Sequence, residues 1–122
     1  MSEKKKILIV DDDASFVDSA KAVLEDKGFE VIKAFNAETG IEALAVENPD
    51  IVLLDVNLPD KNGFEVLKTI KTSINFAELP VILITGDMAV QVDKGFAAGA
   101  DDVIFKPIDI EGLAINISRL VK

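Results

Sequence analysis

Ile51-Val52-Leu53-Leu54-Asp55-Val56-Asn57-Leu58-Pro59 is the stretch that decides the fold. Four branched apolar residues in succession offer no polar side to solvent. A strand built from them is covered on both faces, and Pro49-Asp50 before it and Pro59-Asp60 after it supply the breaks. Such a strand belongs in the middle of a parallel sheet, and it stops at a carboxylate, Asp55. In an open α/β sheet, ligands gather just outside the carboxyl ends of the strands.

The segments on either side repeat the pattern. Lys6-Ile7-Leu8-Ile9-Val10 is a continuous apolar strand followed at once by Asp11-Asp12-Asp13, and Asp13 is placed to N-cap a helix from Ala14 to Lys27. Phe16, Val17, Ala20, Val23 and Leu24 recur there at helical spacing, and Gly28 supplies a C-cap. Phe29 to Ala34 alternates as an edge strand would. Asn36 can cap a helix from Ala37 to Glu47, with Ile41, Leu44 and Ala45 inward.

Beyond the central strand, Asp60-Lys61-Asn62-Gly63 is turn chemistry, with Gly or Asn free to take positive φ. A third helix over about residues 64–72 buries Phe64, Val66, Leu67 and Ile70. Val81-Ile82-Leu83-Ile84-Thr85 is a fourth all-apolar strand, closed by a hydroxyl. A weak helix over Ala89 to Ala98 precedes Gly99, and its glycines (Gly95, Gly99) suit a movable element. Asp102-Val103-Ile104-Phe105 is the last strand, running into Lys106-Pro107. Asp109 is placed to cap a final helix carrying Ile110, Leu113, Ile117 and Leu120 on one face.

Strand and helix alternate five times with short connections, which means βαβ units, right-handed crossovers and helices on both sheet faces. The expected architecture is a single three-layer α/β domain over residues 1–122, with five helices and a five-stranded parallel sheet in the flavodoxin-like order 2-1-3-4-5. A length of 122 residues suits one domain of ordinary size.

Composition narrows the function. The net charge is −9, so nucleic-acid phosphates and anionic lipid are repelled and neither is expected as a direct partner. There is no cysteine and no histidine, which removes thiol chemistry, cysteine–zinc sites and every Ser/His or Cys/His arrangement. No apolar run approaches the ~18 residues of a membrane span, and the N-terminus lacks a signal-peptide core; the chain reads as cytoplasmic.

All residues closing parallel strands lie on one sheet edge. Here they are Asp11 and Asp12, Asp55, Thr85 and Lys106: three carboxylates, a hydroxyl and an ammonium. Clustered carboxylates call for a cation, and an all-oxygen donor set with few ligands suits Mg2+, with Mn2+ or Ca2+ as substitutes. A carboxylate can act as a nucleophile toward phosphorus, and phosphoryl transfer is governed by positioning and charge stabilisation. Each residue alone has a plainer reading as a cap, a strand end or a surface lysine. Their complementarity on one edge does not.

Leu8-Ile9-Val10-Asp11-Asp12-Asp13, Pro49 to Pro59 with Gly63-Phe64-Glu65, Val81 to Gly86, Gly99-Ala100-Asp101-Asp102 and Phe105-Lys106-Pro107 together resemble a response-regulator receiver domain, the CheY-like family. The resemblance covers nearly the whole chain. It implies that Asp55 accepts a phosphoryl group from a phosphohistidine on a sensor histidine kinase or histidine phosphotransfer protein. It also implies Mg2+ held by Asp12 and Asp55 directly, by the Asn57 backbone carbonyl and by Asp11 through water. Thr85 and Lys106 would then contact phosphoryl oxygens, and residues 89–122 would present the read-out face to a downstream effector or output domain, or to a second copy in a weak homodimer. The implied role is a signalling switch rather than an enzyme; Asn57 and Asp87 stand where the dephosphorylation rate is tuned. The chain departs from the family at Val103, where an aromatic residue is usual, which implies coupling through loop and helix movement. The competing readings are a Mg2+-dependent phosphohydrolase using an aspartyl phosphate, a flavin carrier of the same fold class, and a docking module that takes no phosphate.

Overall fold

In a computed structural model describing residues 4–87, 89 and 92–121, ten elements alternate along the chain. They are β1 (Lys6–Val10), α1 (Ala14–Asp26), β2 (Glu30–Ala34), α2 (Ala37–Glu47), β3 (Ile51–Asp55), α3 (Gly63–Lys71), β4 (Val81–Thr85), α4 (Val92–Ala97), β5 (Asp102–Phe105) and α5 (Ile110–Leu120). The five strands form one parallel sheet in the order β2-β1-β3-β4-β5, as the alternation predicts.

Side chains of successive strand residues point to opposite sheet faces, and the apolar runs therefore serve two layers. Leu8, Val10, Val52, Leu54, Val81 and Leu83 pack with Leu44 of α2 and with Val66, Leu67 and Ile70 of α3. Ile7, Ile9, Ile51, Leu53, Ile82 and Ile84 pack with Val17, Ala20 and Leu24 of α1 and with Leu113, Ala114 and Ile117 of α5. Each fully buried Leu or Ile contributes about 1.5–3 kcal/mol over its exposed state. This two-sided burial is what makes β1, β3 and β4 a rigid base for the residues that follow them.

The helix starts are set by side chains. Asp13 accepts from the Phe16 N–H at 3.1 Å, Asn36 from the Thr39 N–H at 2.8 Å and Asn62 from the Phe64 N–H at 2.8 Å. Asp109 holds the N-cap position of α5 but its side chain makes no capping hydrogen bond, contrary to expectation. Gly28 (φ +98°) and Asn48 (φ 50°) turn the chain out of α1 and α2.

Three other expectations are corrected or refined. Gly63 does not take positive φ; it opens α3 beneath the end of β3, where a Cβ would strike the Asp55 carbonyl oxygen and lie 2.7 Å from the Val56 Cα. In α2 the inward positions include Ala37 and Gly40, while Ala45 is exposed, because the helix lies so close that a Cβ on Gly40 would meet the Val10 side chain at 2.9 Å. The fourth helix is described only over Val92–Ala97; of its expected start, Ala89 lies in a turn and residues 90–91 lie outside the described residues. Gly95 has a packing role there. It is buried, and a Cβ would stand 2.8 Å from Val103 Cγ2, so the missing side chain is what lets α4 approach β5.

Candidate functional site

The register places the strand ends side by side. Asp55 pairs with Ile84, Thr85 with Phe105, and Val10 with Leu54, so residues 11, 55, 85 and 106 leave the sheet along one edge. The Lys106 N–H donates to the Thr85 carbonyl at 2.8 Å, and the Val56 N–H to the Ile84 carbonyl at 3.1 Å. These backbone bonds hold the edge rigid up to the last strand residue.

Asp11 is fully buried, Asp55 is 6% exposed, and Thr85 is fully buried; they are the buried polar residues of the described chain. Asp12 is exposed. Carboxylate oxygens of Asp11, Asp12 and Asp55 all lie within 4.8 Å of one another. Asp11 Oδ1 accepts the Asp13 N–H at 2.9 Å, and Asp55 Oδ1 accepts the Asn57 N–H at 3.2 Å. Asp11 Oδ2 is in direct ionic contact with the Lys106 ammonium at 2.7 Å, the length of a charge-assisted contact.

Burial pushes the Asp55 carboxyl up to about 7, with the Asp11 charge adding to it. Burial alone would lower the Lys106 ammonium; the contact with Asp11, supported by the charges of Asp55 and Asp13, outweighs this and holds it above the ordinary lysine value. Two nearby carboxylates of which one resists ionising are a site short of positive charge. The donor set fits a hard divalent cation: three carboxylates offer oxygens within 4.8 Å of one another, and the cluster contains no nitrogen or sulfur ligand.

Thr85 Oγ1 accepts the Asp87 N–H at 2.9 Å, which leaves the hydroxyl proton free to donate. Asn57 is exposed at the start of the loop after β3, where it forms a bridge with Asn62. The structure brings together Asp11, Asp12, Asp55 and Lys106, with Thr85 and Asn57 on the same edge. It adds two residues that the sequence reading gave other work. Asp13, expected only as a cap, also turns Oδ2 toward Lys106 at 3.6 Å. Phe16, expected only in the core, sets its ring 4.8 Å from the same ammonium. The signal for both was available: α1 begins at the sheet edge where β5 ends.

The family model of the response regulator receiver domain matches residues 7–118. This chain belongs to that family. Phosphorylation on aspartate is characteristic of its receivers. Relatives include the DNA-binding dual master transcriptional regulator RpaA of Synechocystis, 37% identical over 120 residues, covering 96% of this chain and 49% of the relative. The transcriptional regulatory protein CrdR of Helicobacter pylori is 39% identical over 118 residues, covering 95% of this chain and 54% of the relative. The chain therefore spans about half the length of these relatives. A CheY-like receiver from Methanospirillum hungatei superposes with a TM-score of 0.87 at 33% identity, covering 96% of this chain and 93% of that one. No helix of the described residues is long and apolar enough to cross a membrane.

Proposed function

We propose that residues 1–122 form one receiver unit, a phosphoacceptor of a two-component phosphorelay in which Asp55 takes the phosphoryl group. The observation that carries this reading is the placement of a single 6%-exposed carboxylate, Asp55, beside Asp11 and Asp12 and between the ends of β1 and β4. A carboxylate oxygen of Asp55 attacks phosphorus, the bond from phosphorus to the donor histidine nitrogen breaks, and that nitrogen keeps the electron pair and takes a proton. The product is an acyl phosphate on Asp55. The chain has no histidine of its own, which suits a donor on a histidine kinase or phosphotransfer protein.

Asp11, Asp12 and Asp55, with the Asn57 backbone carbonyl, would hold Mg2+, which when bound supplies the positive charge that the carboxylate cluster and the incoming phosphoryl oxygens lack. Thr85 donates its hydroxyl to one phosphoryl oxygen, and Lys106 pairs with another. The added charge then biases the β4–α4 and β5–α5 segments toward a second arrangement, and the face formed by residues 89–122 is read by an output domain, an effector or a second copy. The compartment in this reading is the cytoplasm, and the protein acts as a switch rather than as an enzyme.

Incubation with acetyl phosphate and Mg2+, read by intact mass, tests the reading. Wild type gains a single labile phosphoryl group and Asp55→Asn gains none. Equal labelling of the two would sink the assignment, and repeated turnover of a phosphomonoester would favour the phosphohydrolase instead.

A further inference from the structure

Lys106 carries its charge on a flexible four-carbon stem, so something other than the backbone decides where the ammonium sits. Its N–H is anchored to the Thr85 carbonyl at 2.8 Å. Its ammonium lies 2.7 Å from Asp11 Oδ2, 3.6 Å from Asp13 Oδ2 and 4.8 Å from the centre of the Phe16 ring, and it makes no ion pair with Asp55. Two of those three neighbours belong to the start of α1. One hydrogen bond links them: Asp13 Oδ1 accepts the Phe16 N–H at 3.1 Å, which starts the helix while Oδ2 and the ring both face the lysine.

We infer that Asp13 and Phe16 are positioning residues for Lys106: the first turn of α1 cradles the ammonium beside the phosphoryl site while keeping it off the acceptor carboxylate. The inference rests on the reading of Asp55 as acceptor. A cation within ~6 Å of a ring centroid is attracted by the negative π-face, more so where solvent is partly excluded. The Lys106 side chain is 19% exposed, so solvent is partly excluded around it. A lysine paired directly with Asp55 would compensate the nucleophile's charge and block its approach to phosphorus. Held by α1 instead, the ammonium is already placed when the phosphoryl group arrives, and little of its stem has to be ordered at that moment.

The alternative is that Phe16 merely fills space at the edge of the α1–α5 layer. Leucine would fill that space as well, but it has no π-face. The test compares wild type, Phe16→Leu, Phe16→Tyr and Asp13→Asn, with Asp55→Asn as control. Metal-free protein labelled for side-chain NMR gives the Lys106 ε-methylene proton shifts, which the ring moves upfield. Acetyl phosphate with Mg2+ gives the rate of phosphoryl uptake.

Phe16→Leu is expected to lose the upfield shift and to slow uptake about two- to fivefold. Phe16→Tyr keeps both near wild type. Asp13→Asn, which can still cap α1, slows uptake about twofold by removing the outer anion. The inference is overturned if Phe16→Leu keeps the upfield shift, or if its uptake matches wild type. It is equally overturned if leucine and tyrosine act alike. Should Phe16→Leu fail to fold, Asp13→Asn alone decides, and an unchanged uptake rate with it refutes the cradle. Absence of uptake in wild type removes the acceptor reading itself, whereas normal wild-type uptake with indifferent variants removes only the role of α1.

Discussion

Asp11 and Asp55 set two carboxylates in one buried site, and the charge of the first helps burial push the carboxyl of the second up to about 7. A carboxyl whose pKa is raised in the folded state binds its proton more tightly there than in the unfolded chain. Its contribution to stability is therefore full below the unfolded value of 3.8 and is lost as pH rises through about 7. The metal-free protein should melt at a lower temperature as pH is raised across that window. Asp55→Asn should flatten the dependence, and Mg2+ should do the same by stabilising the ionised pair. A melting series at several pH values, with and without the metal, checks all three.

Lys106 lies 2.7 Å from Oδ2 of a fully buried carboxylate, Asp11. Lys106→Met keeps most of the stem but strands the Asp11 charge. Leaving a buried polar group uncompensated costs about 1–3 kcal/mol, and more when it is charged. Urea unfolding of metal-free protein should show a loss of that size. Pairing the substitution with Asp11→Asn should recover a large part of it, because the two side chains are in direct contact.

Gly63 and Gly86 flank the site, and the structure separates them sharply. A Cβ at Gly63 would collide with the backbone of Asp55 and Val56, whereas one at Gly86 would meet nothing within 4 Å. Gly63→Ala must displace the β3 end and should cost about 3 kcal/mol, the upper part of the overpacking range. Gly86→Ala should stay within about 0.5 kcal/mol of wild type. Denaturant midpoints measured side by side provide the check, and similar values for both would contradict the close approach of α3.

Asp60 reaches from the loop after β3 to the start of α2, where its two oxygens accept the Ala37 and Glu38 N–H groups at 2.8 and 3.0 Å. The Ala37 N–H, chiefly, holds its carboxyl below the ordinary carboxylate value. The sign is the reverse of that for Asp55: the contribution is present above the unfolded pKa of 3.8 and is lost as pH falls below it. Asp60→Ala should speed hydrogen exchange at the amides of Ala37 and Glu38 while leaving β1 and β3 protected. Exchange confined to other segments would show that the cap does not hold α2.

The sequence by itself determined the sheet and the site's inventory. Ile51–Leu54, Ile7–Val10 and Val81–Ile84 admit only burial on both faces, and a parallel sheet delivers whatever follows them to one edge. Asp11, Asp12, Asp55, Thr85 and Lys106 were therefore legible as a set, as were the caps at Asp13 and Asn36, whose partners lie three residues away. The tertiary structure alone decided the contacts between segments distant in the chain. Asp60 caps a helix whose first residue lies 23 positions before it, Phe16 meets a lysine from the opposite end of the chain, and Gly63 and Gly95 owe their lack of a side chain to a neighbouring strand rather than to their own φ. The physical reason is reach. Periodicity and capping are encoded over a few residues, whereas the direction in which a side chain closes a gap depends on how two elements are packed, and no local pattern records that.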